Sequence, residues 1–251
     1  MGTPHLLDYL WEDPSPIMTK AGMDPDPWQM DLLRSVAERR MLLNCSRQSG
    51  KTTLAAAIAL RTALLEEPAL ILMVSPTQRQ SAELFRDKFV KLYRAFDPPT
   101  KIVQRTALTM ELDNGSRIIA LPGDEANIRG YSGVSLIVID EAARVPDELY
   151  RAVRPMLAVS RGTLIALSTP WGKRGWFYEE WMGVNPWKKI RITASQCPRI
   201  SQEYLAEEKE SSALWYSQEF DTVFCETIDS VFRQEDIDAC LTNEVQPLWK
   251  L

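Results

Sequence analysis

The sequence predicts an α/β protein in which helices flank a mostly parallel central sheet, and three observations predict it. Apolar runs of strand length recur along the chain: MLLNCS (41–46), ALILMVS (69–75), SLIVID (135–140) and GTLIALS (162–168). Helical stretches separate them, and strands apolar on both faces need helices on both sides of the sheet. Between two further short strand-like segments sits Asn114-Gly115, a strong hairpin signal that adds antiparallel strands.

Taken in order, the elements begin with an N-terminal arm, 1–26. Its prolines (Pro4, Pro14, Pro16, Pro25) predict an extended segment with at most a short helix near Leu6–Trp11. Asp26-Pro27 then suits a helix start, with Asp at the N-cap and Pro at the first helical position, and the helix is expected over 27–40. The strand 41–46 leads into RQSGKTT and an Ala/Leu-rich helix that stops at Pro68. The strand 69–75 precedes a long amphipathic helix over 77–96, ended by Asp97-Pro98-Pro99. Three short strands (101–105, 107–113, 116–122) surround the hairpin. The strand 135–140 is followed by a helix from Pro146 to Ala158, the strand 162–168, a short helix over 174–182 and a fifth strand, WKKIRITA (187–194). Beyond Cys197 the pattern is helical and acidic. The expected division is therefore an arm (1–26), a core (27–195) and a small helical appendage with a linker (196–251).

Composition narrows the function. The 251 residues are 45% apolar and 25% charged, as in a globular protein with a core large enough to need no disulfides or structural metal. The single histidine, His5, leaves no Ser-His-Asp triad or histidine-rich metal site. The four cysteines (Cys45, Cys197, Cys225, Cys240) show no CxxC spacing, and a reducing cytoplasm is expected. No apolar run approaches the ~20 residues of a membrane span, and the N-terminus lacks the pattern of a signal peptide. The net charge of −5 argues against a DNA-coating protein, but it is unevenly spread. Residues 196–251 hold 4 Lys/Arg against 12 Asp/Glu, while the first 195 hold 25 against 22.

Two motifs carry chemistry. Cys45-Ser46-Arg47-Gln48-Ser49-Gly50-Lys51-Thr52 lies between a buried strand and a helix. It fits a phosphate-binding loop whose usual first glycine is replaced by Cys45. Backbone N–H groups and the helix N-terminus face phosphates, Lys51 brings charge to the β/γ oxygens, and Thr52 offers a hydroxyl to Mg²⁺. Ser46, Arg47, Gln48, Ser49, Gly50, Lys51, Thr52 and Thr53 are the expected nucleotide-binding set. Arg47 can reach a phosphate or a carboxylate, or stand solvated. The second motif is Leu136-Ile137-Val138-Ile139-Asp140-Glu141. Asp140 would hold Mg²⁺ and Glu141 would orient or deprotonate the attacking water. The spacing between the motifs suits a sheet in which another strand separates their two strands.

Other positions are less decisive alone. Ser168 and Thr169 end a buried strand and can sense a γ-phosphate, though an ordinary turn explains them equally. Gln29 can read an adenine edge. Arg129, in a glycine-rich loop, can reach a transferring phosphate, but most loop arginines are simply solvated. Two basic clusters, on helix 77–96 (Arg79, Arg86, Lys88, Lys91, Arg94) and at Lys173, Arg174, Lys188, Lys189 and Arg191, suit either a nucleic-acid backbone or solvent. The aromatics Trp171, Trp176, Phe177, Tyr178 and Trp181 read as a packing cluster.

In this order, Pro27-Trp28-Gln29, Ser46–Thr52, Val74-Ser75-Pro76-Thr77, Ile128-Arg129-Gly130-Tyr131-Ser132, Ile139-Asp140-Glu141-Ala142 and Leu167-Ser168-Thr169-Pro170 resemble the ATPase domain of tailed-phage terminase large subunits, the DNA-packaging motors. The resemblance covers roughly residues 26–235. It implies a P-loop NTPase of the RecA-like (ASCE) type with a small helical C-terminal lid subdomain. It also implies ATP hydrolysis with Mg²⁺, driving double-stranded DNA into a procapsid in the host cytoplasm. The implied partners are DNA, a portal protein, a small terminase subunit and a homo-oligomeric ring, expected to be a pentamer during packaging and a monomer in isolation. Gln29 is then implied as the adenine contact, Ser168 and Thr169 as the coupling motif, and Arg129 as an arginine finger acting in trans. The arginine-bearing loop without its first glycine is a habit of that family. The family normally adds an RNase-H-like nuclease. After Asp229-Ser230-Val231-Phe232 no strand bearing catalytic aspartates follows, so nuclease activity is not expected in this chain. A helicase-like ATPase or a nucleotide-gated scaffold with little turnover are the competing readings.

Overall fold

The computed structural model describes residues 7, 9–35, 38–123, 128 and 130–226. Eight strands form one sheet: β1 (Arg40–Cys45), β2 (Leu70–Ser75), β3 (Ile102–Arg105), β4 (Thr109–Leu112), β5 (Arg117–Pro122), β6 (Leu136–Asp140), β7 (Thr163–Ser168) and β8 (Lys188–Ile192). Their spatial order is β3-β4-β5-β2-β6-β7-β1-β8. The pairs from β5 through β8 are parallel, while β3, β4 and β5 pair antiparallel around the Asn-Gly turn. The expected spacer between the two motif strands is β7, which lies between β6 and β1.

Alternation along the buried strands divides the core in two. Met41, Leu43, Ile71, Met73, Leu136, Val138, Ile165 and Leu167 face one side, under a helix that follows β1, α4 (Lys51–Leu65). Leu42, Leu72, Val74, Ile137, Ile139, Leu164 and Ala166 face the other. That side is covered by α7 (Asp147–Val153), α8 (Met156–Ser160) and α9 (Gly175–Met182). Thirteen of the fifteen residues of α4 are buried, which its Ala-rich sequence permits because small side chains let helix and sheet approach closely.

Several elements depart from the sequence expectation. The arm is not merely extended: α1 (Tyr9–Glu12) and α2 (Pro16–Thr19) bury Leu10, Ile17 and Met18 in the α4-side core. The first core helix, α3 (Pro27–Arg34), is shorter than 27–40. Its expected N-cap holds, as a capping box between Asp26 and Gln29. The helix expected over 77–96 is α5 (Gln78–Glu83), a π-helical stretch (Leu84–Phe89) and α6 (Val90–Phe96). Pro155 separates α7 from α8, because proline offers no N–H for the helical ladder. After β8, α10 (Gln202–Ser211) and α11 (Ala213–Glu219) pack Leu205 and Phe220 against Ala194, beyond the C-terminal end of the sheet.

Candidate active site

The chemistry gathers where β6, β7 and β1 end side by side. The loop 46–50 turns from β1 into α4 through two left-handed residues, Gln48 (φ 60°) and Gly50 (φ 85°). Gly50 is favoured by its left-handed backbone, and any side chain there would also displace two neighbours. A Cβ there would be strained by the backbone and would lie 2.9 Å from Gln29 Nε2 and 3.1 Å from an Arg199 guanidinium nitrogen. Cys45, by contrast, needs no glycine: it is the last residue of β1, fully buried and in register with Ile192. Burial pushes its thiol up to about 12, despite the opposing charge of Lys51.

Lys51 opens α4 and reaches across the cleft. Its Nζ lies 3.1 Å from Glu141 Oε1 and donates to Thr169 Oγ1 at 3.5 Å. Thr52 Oγ1 donates to Asp140 Oδ2 at 2.9 Å, and the Glu141 N–H donates to Asp140 Oδ1 at 3.0 Å. Glu141 itself adopts a left-handed backbone (φ 52°, ψ 42°), a conformation that costs a non-glycine residue about 1 kcal/mol or more. Such strain concentrates at functional positions, and here the turn sets the two carboxylates at the strand end. The cleft in front of these groups has a volume of about 540 Å³ and includes Gln48, Thr53, Lys88 and Arg144 in its lining.

The charges are coupled. Burial works against the Lys51 ammonium, but the Glu141 and Asp140 carboxylates outweigh it and hold its pKa above the ordinary value. Burial pushes Asp140 up to about 6, with Lys51 opposing and Glu141 adding. Among the described residues no three His, Cys, Asp or Glu side chains gather as metal ligands. The Thr52 hydroxyl beside the Asp140 carboxylate is instead a small set of hard oxygens, the kind that holds Mg²⁺ together with substrate phosphates. Ser49 Oγ is buried in the loop without a hydrogen-bond partner among the described residues.

The remaining expected residues fall into place unequally. Gln29 is 1% exposed: its Oε1 accepts from the Asp26 N–H at 2.9 Å and its Nε2 donates to the Gly50 carbonyl at 3.4 Å. In this arrangement it braces the loop. Ser168 is buried and donates to the Thr169 carbonyl at 2.8 Å, while Thr169 meets Lys51. Ser46 is buried, its N–H donating to the Ile192 carbonyl at 2.7 Å. Arg129 lies outside the described residues.

Arg47 points to a carboxylate. Its Nη1 lies 3.4 Å from Glu219 Oε2, and its backbone N–H donates to the Glu219 carbonyl at 2.7 Å. The acids of the tail are therefore not all solvated: the Glu219 side chain is only 2% exposed. Arg199 makes a second link, forking to both oxygens of Asp26 (2.7 and 2.8 Å) and donating to the Ser49 carbonyl at 3.0 Å. Neither link carries a local sequence signal, since the partners are 172 and 173 residues apart.

The two basic clusters are partly self-neutralised. Arg79 pairs with Glu83, Arg86 with Asp87, Lys173 with Glu226 and Lys188 with Glu38. The aromatics do pack together: Trp176 stacks on Tyr150 at 4.2 Å, and Phe177, Tyr178 and Trp181 surround Phe224. Trp171 instead lies under the Arg144 guanidinium at 4.1 Å.

Residues 42–239 match a family described as terminase large subunit, T4-like-virus type, N-terminal. The chain belongs to the terminase large subunit family. Its fold is that of solved terminase structures. The large terminase ATPase domain of Thermus phage P74-26 aligns with a TM-score of 0.69 and 23% identity, over 82% of this chain and 96% of that one. The large terminase of bacteriophage HK97 aligns with a TM-score of 0.67 and 17% identity, over 87% of this chain and 55% of that one. The large terminase of another thermophilic bacteriophage, in complex with ADP, aligns with a TM-score of 0.66 and 13% identity, over 80% and 54%. This terminase chain therefore spans about the length of the P74-26 domain and about half of the other two chains. No helix among its described residues is long and apolar enough to cross a membrane.

Proposed function

We propose that this terminase domain binds ATP in the cleft and hydrolyses it to drive double-stranded DNA into a procapsid, as one subunit of a homo-oligomeric ring. The observation that carries the reading is the convergence of Lys51, Thr52, Asp140, Glu141 and Thr169 on one cleft at the C-terminal edge of a parallel sheet. Open α/β sheets bind ligands at this edge. Family membership supports the packaging role, and the ADP and ATP-γ-S complexes of the thermophilic bacteriophage's terminase support the nucleotide.

Thr52 and Asp140 would hold Mg²⁺. When bound, the ion neutralises phosphate charge. The loop N–H groups and the start of α4 bind and orient the phosphates. Lys51 is drawn from Glu141 toward the β/γ oxygens, which carry more charge than one carboxylate. Glu141 Oε1 is then freed to accept the proton of the attacking water. Thr169, which touches Lys51, sits where it registers that change, and Ser168 fixes it to the end of β7. Arg47 has the same choice as Lys51. A phosphate in the cleft competes with Glu219 for its guanidinium, so nucleotide binding would loosen or remake the contact with α11. Arg129 is proposed to reach the nucleotide of a neighbouring subunit, a role that rests on the family resemblance. DNA, a portal protein and a small terminase subunit are the proposed partners, in the host cytoplasm.

The test is nucleotide binding and turnover in Lys51→Ala and Glu141→Gln. Loss of binding or turnover in the first and bound but unhydrolysed ATP in the second support the reading. Wild-type rates in Lys51→Ala overturn it.

A further inference from the structure

At the opposite end of the sheet from the cleft, four arginines converge. Arg39 and Arg40 stand at the start of β1, Arg161 and Gly162 at the start of β7, and Arg154 between α7 and α8. With Leu157 and Leu164 they line a concavity of about 330 Å³. All four arginines are exposed, and none of them pairs with a carboxylate among the described residues. The adjoining Glu38 is turned to Lys188, at 3.7 Å. The Arg154 guanidinium lies over the Tyr150 ring at 5.6 Å, and Arg161 closes α8 with a left-handed backbone.

The cleft end carries the complementary surface. Helix α10 (QEYLAEEKES) exposes Glu203, Glu207 and Glu210, with Glu208 half-exposed, and Leu205 anchors its inner face. These glutamates make no ion pair among the described residues. The P-loop and α10 lie beyond the C-terminal ends of β1 and β8, whereas the arginines lie at the N-terminal ends of β1 and β7. The two surfaces of one chain therefore cannot meet.

We propose that the arginine concavity receives the glutamate face of α10 from a second copy of this chain, in a head-to-tail contact. Each copy then offers one basic and one acidic surface, a heterologous arrangement that generates a ring when the rotation closes. Guanidinium forks match carboxylates in geometry as well as charge. A DNA backbone would satisfy the arginines but would leave the acidic helix unanswered, whereas a second copy satisfies both. The contact would also bring the N-terminal strand ends of one copy against the nucleotide cleft of the next. The inference rests on the ring proposed above and supplies its subunit contact.

The test is sedimentation velocity on the chain over a concentration series, with two variants whose changes are exposed and remote from the Lys51–Glu141 cluster: Arg154→Gln/Arg161→Gln and Glu207→Gln/Glu210→Gln. Wild-type chain is expected to be monomeric at the low end of the series and to self-associate as concentration rises, and to do so less as salt rises from about 50 to about 500 mM. Each variant alone is expected to lose at least about tenfold in self-association. Their equimolar mixture is expected to give a dimer that does not grow, because one intact surface remains on each. Circular dichroism and fluorescent-nucleotide binding, read on every sample, separate misfolding and failure of the nucleotide reading from failure of the contact. A wild-type chain that stays monomeric, folded variants that associate as wild type does, or a mixture that forms no dimer would overturn the proposal. So would variants whose arginine changes weaken retention of duplex DNA and leave self-association intact.

Discussion

Lys51 Nζ and Glu141 Oε1 lie 3.1 Å apart, so the cation expected to meet phosphate is paired with the carboxylate expected to activate water. Binding phosphate must break that pair. Glu141→Gln removes the competitor and the base together. It is expected to tighten nucleotide binding several-fold and to slow hydrolysis by about 10²–10⁴-fold. Equilibrium binding and single-turnover hydrolysis on the same variant read the two effects separately. Weaker binding in Glu141→Gln would mean that the pair does not compete with phosphate.

Arg47 and Glu219 differ in exposure, 52% and 2% for their side chains. Removing the arginine leaves a buried carboxylate without its cation, held only by the Gln218 amide at 3.4 Å, whereas Glu219→Gln leaves an amide that still bonds. Arg47→Ala is expected to destabilise the fold by about 1–3 kcal/mol, between the values for exposed and buried pairs. Glu219→Gln should cost less. Urea denaturation of both variants checks the order, and the reverse order would contradict the assignment of Glu219 as the buried partner.

Asp26 accepts from the Trp28 indole and from both forks of Arg199, which also holds the Ser49 carbonyl. Asp26→Ala leaves the indole without its acceptor and leaves Arg199 only the Ser49 carbonyl, loosening its hold on the loop. A loss of about 1–3 kcal/mol is expected, together with weaker nucleotide binding. Unchanged affinity in a destabilised variant would confine the link to folding.

Burial, which pushes the Cys45 thiol up to about 12, keeps it protonated and inaccessible at neutral and mildly alkaline pH. Alkylation of Cys45 at pH 8 should proceed only with unfolding, followed by mass spectrometry. Rapid modification of the native chain would place Cys45 in the open cleft instead of at the end of β1.

What was legible in the sequence was local. Runs such as Leu136–Asp140 are apolar on both faces because both faces of the sheet are covered, and Gly50-Lys51-Thr52 keeps its spacing because backbone, ammonium and hydroxyl act together. The intervening strand was readable from the spacing and is β7. The illegible part depends on folding distant segments together. Nothing near Glu219 distinguishes it from the exposed glutamates of α10, since its ionic partner Arg47 lies far upstream. The arginine concavity joins residues 39 and 40 to 154 and 161, whereas the clusters visible in sequence include cations already paired with neighbouring acids. The Gln29 amide bonds to Asp26 and Gly50, a brace on the loop that its position at a helix start does not reveal.

The most direct test of the account is ATP hydrolysis measured against protein concentration, with and without double-stranded DNA, for the wild-type chain and Lys51→Ala. Turnover per subunit is expected to rise with concentration, to rise further with DNA and to vanish in Lys51→Ala. No turnover at any concentration with DNA present, or turnover that survives Lys51→Ala, would contradict the proposed function.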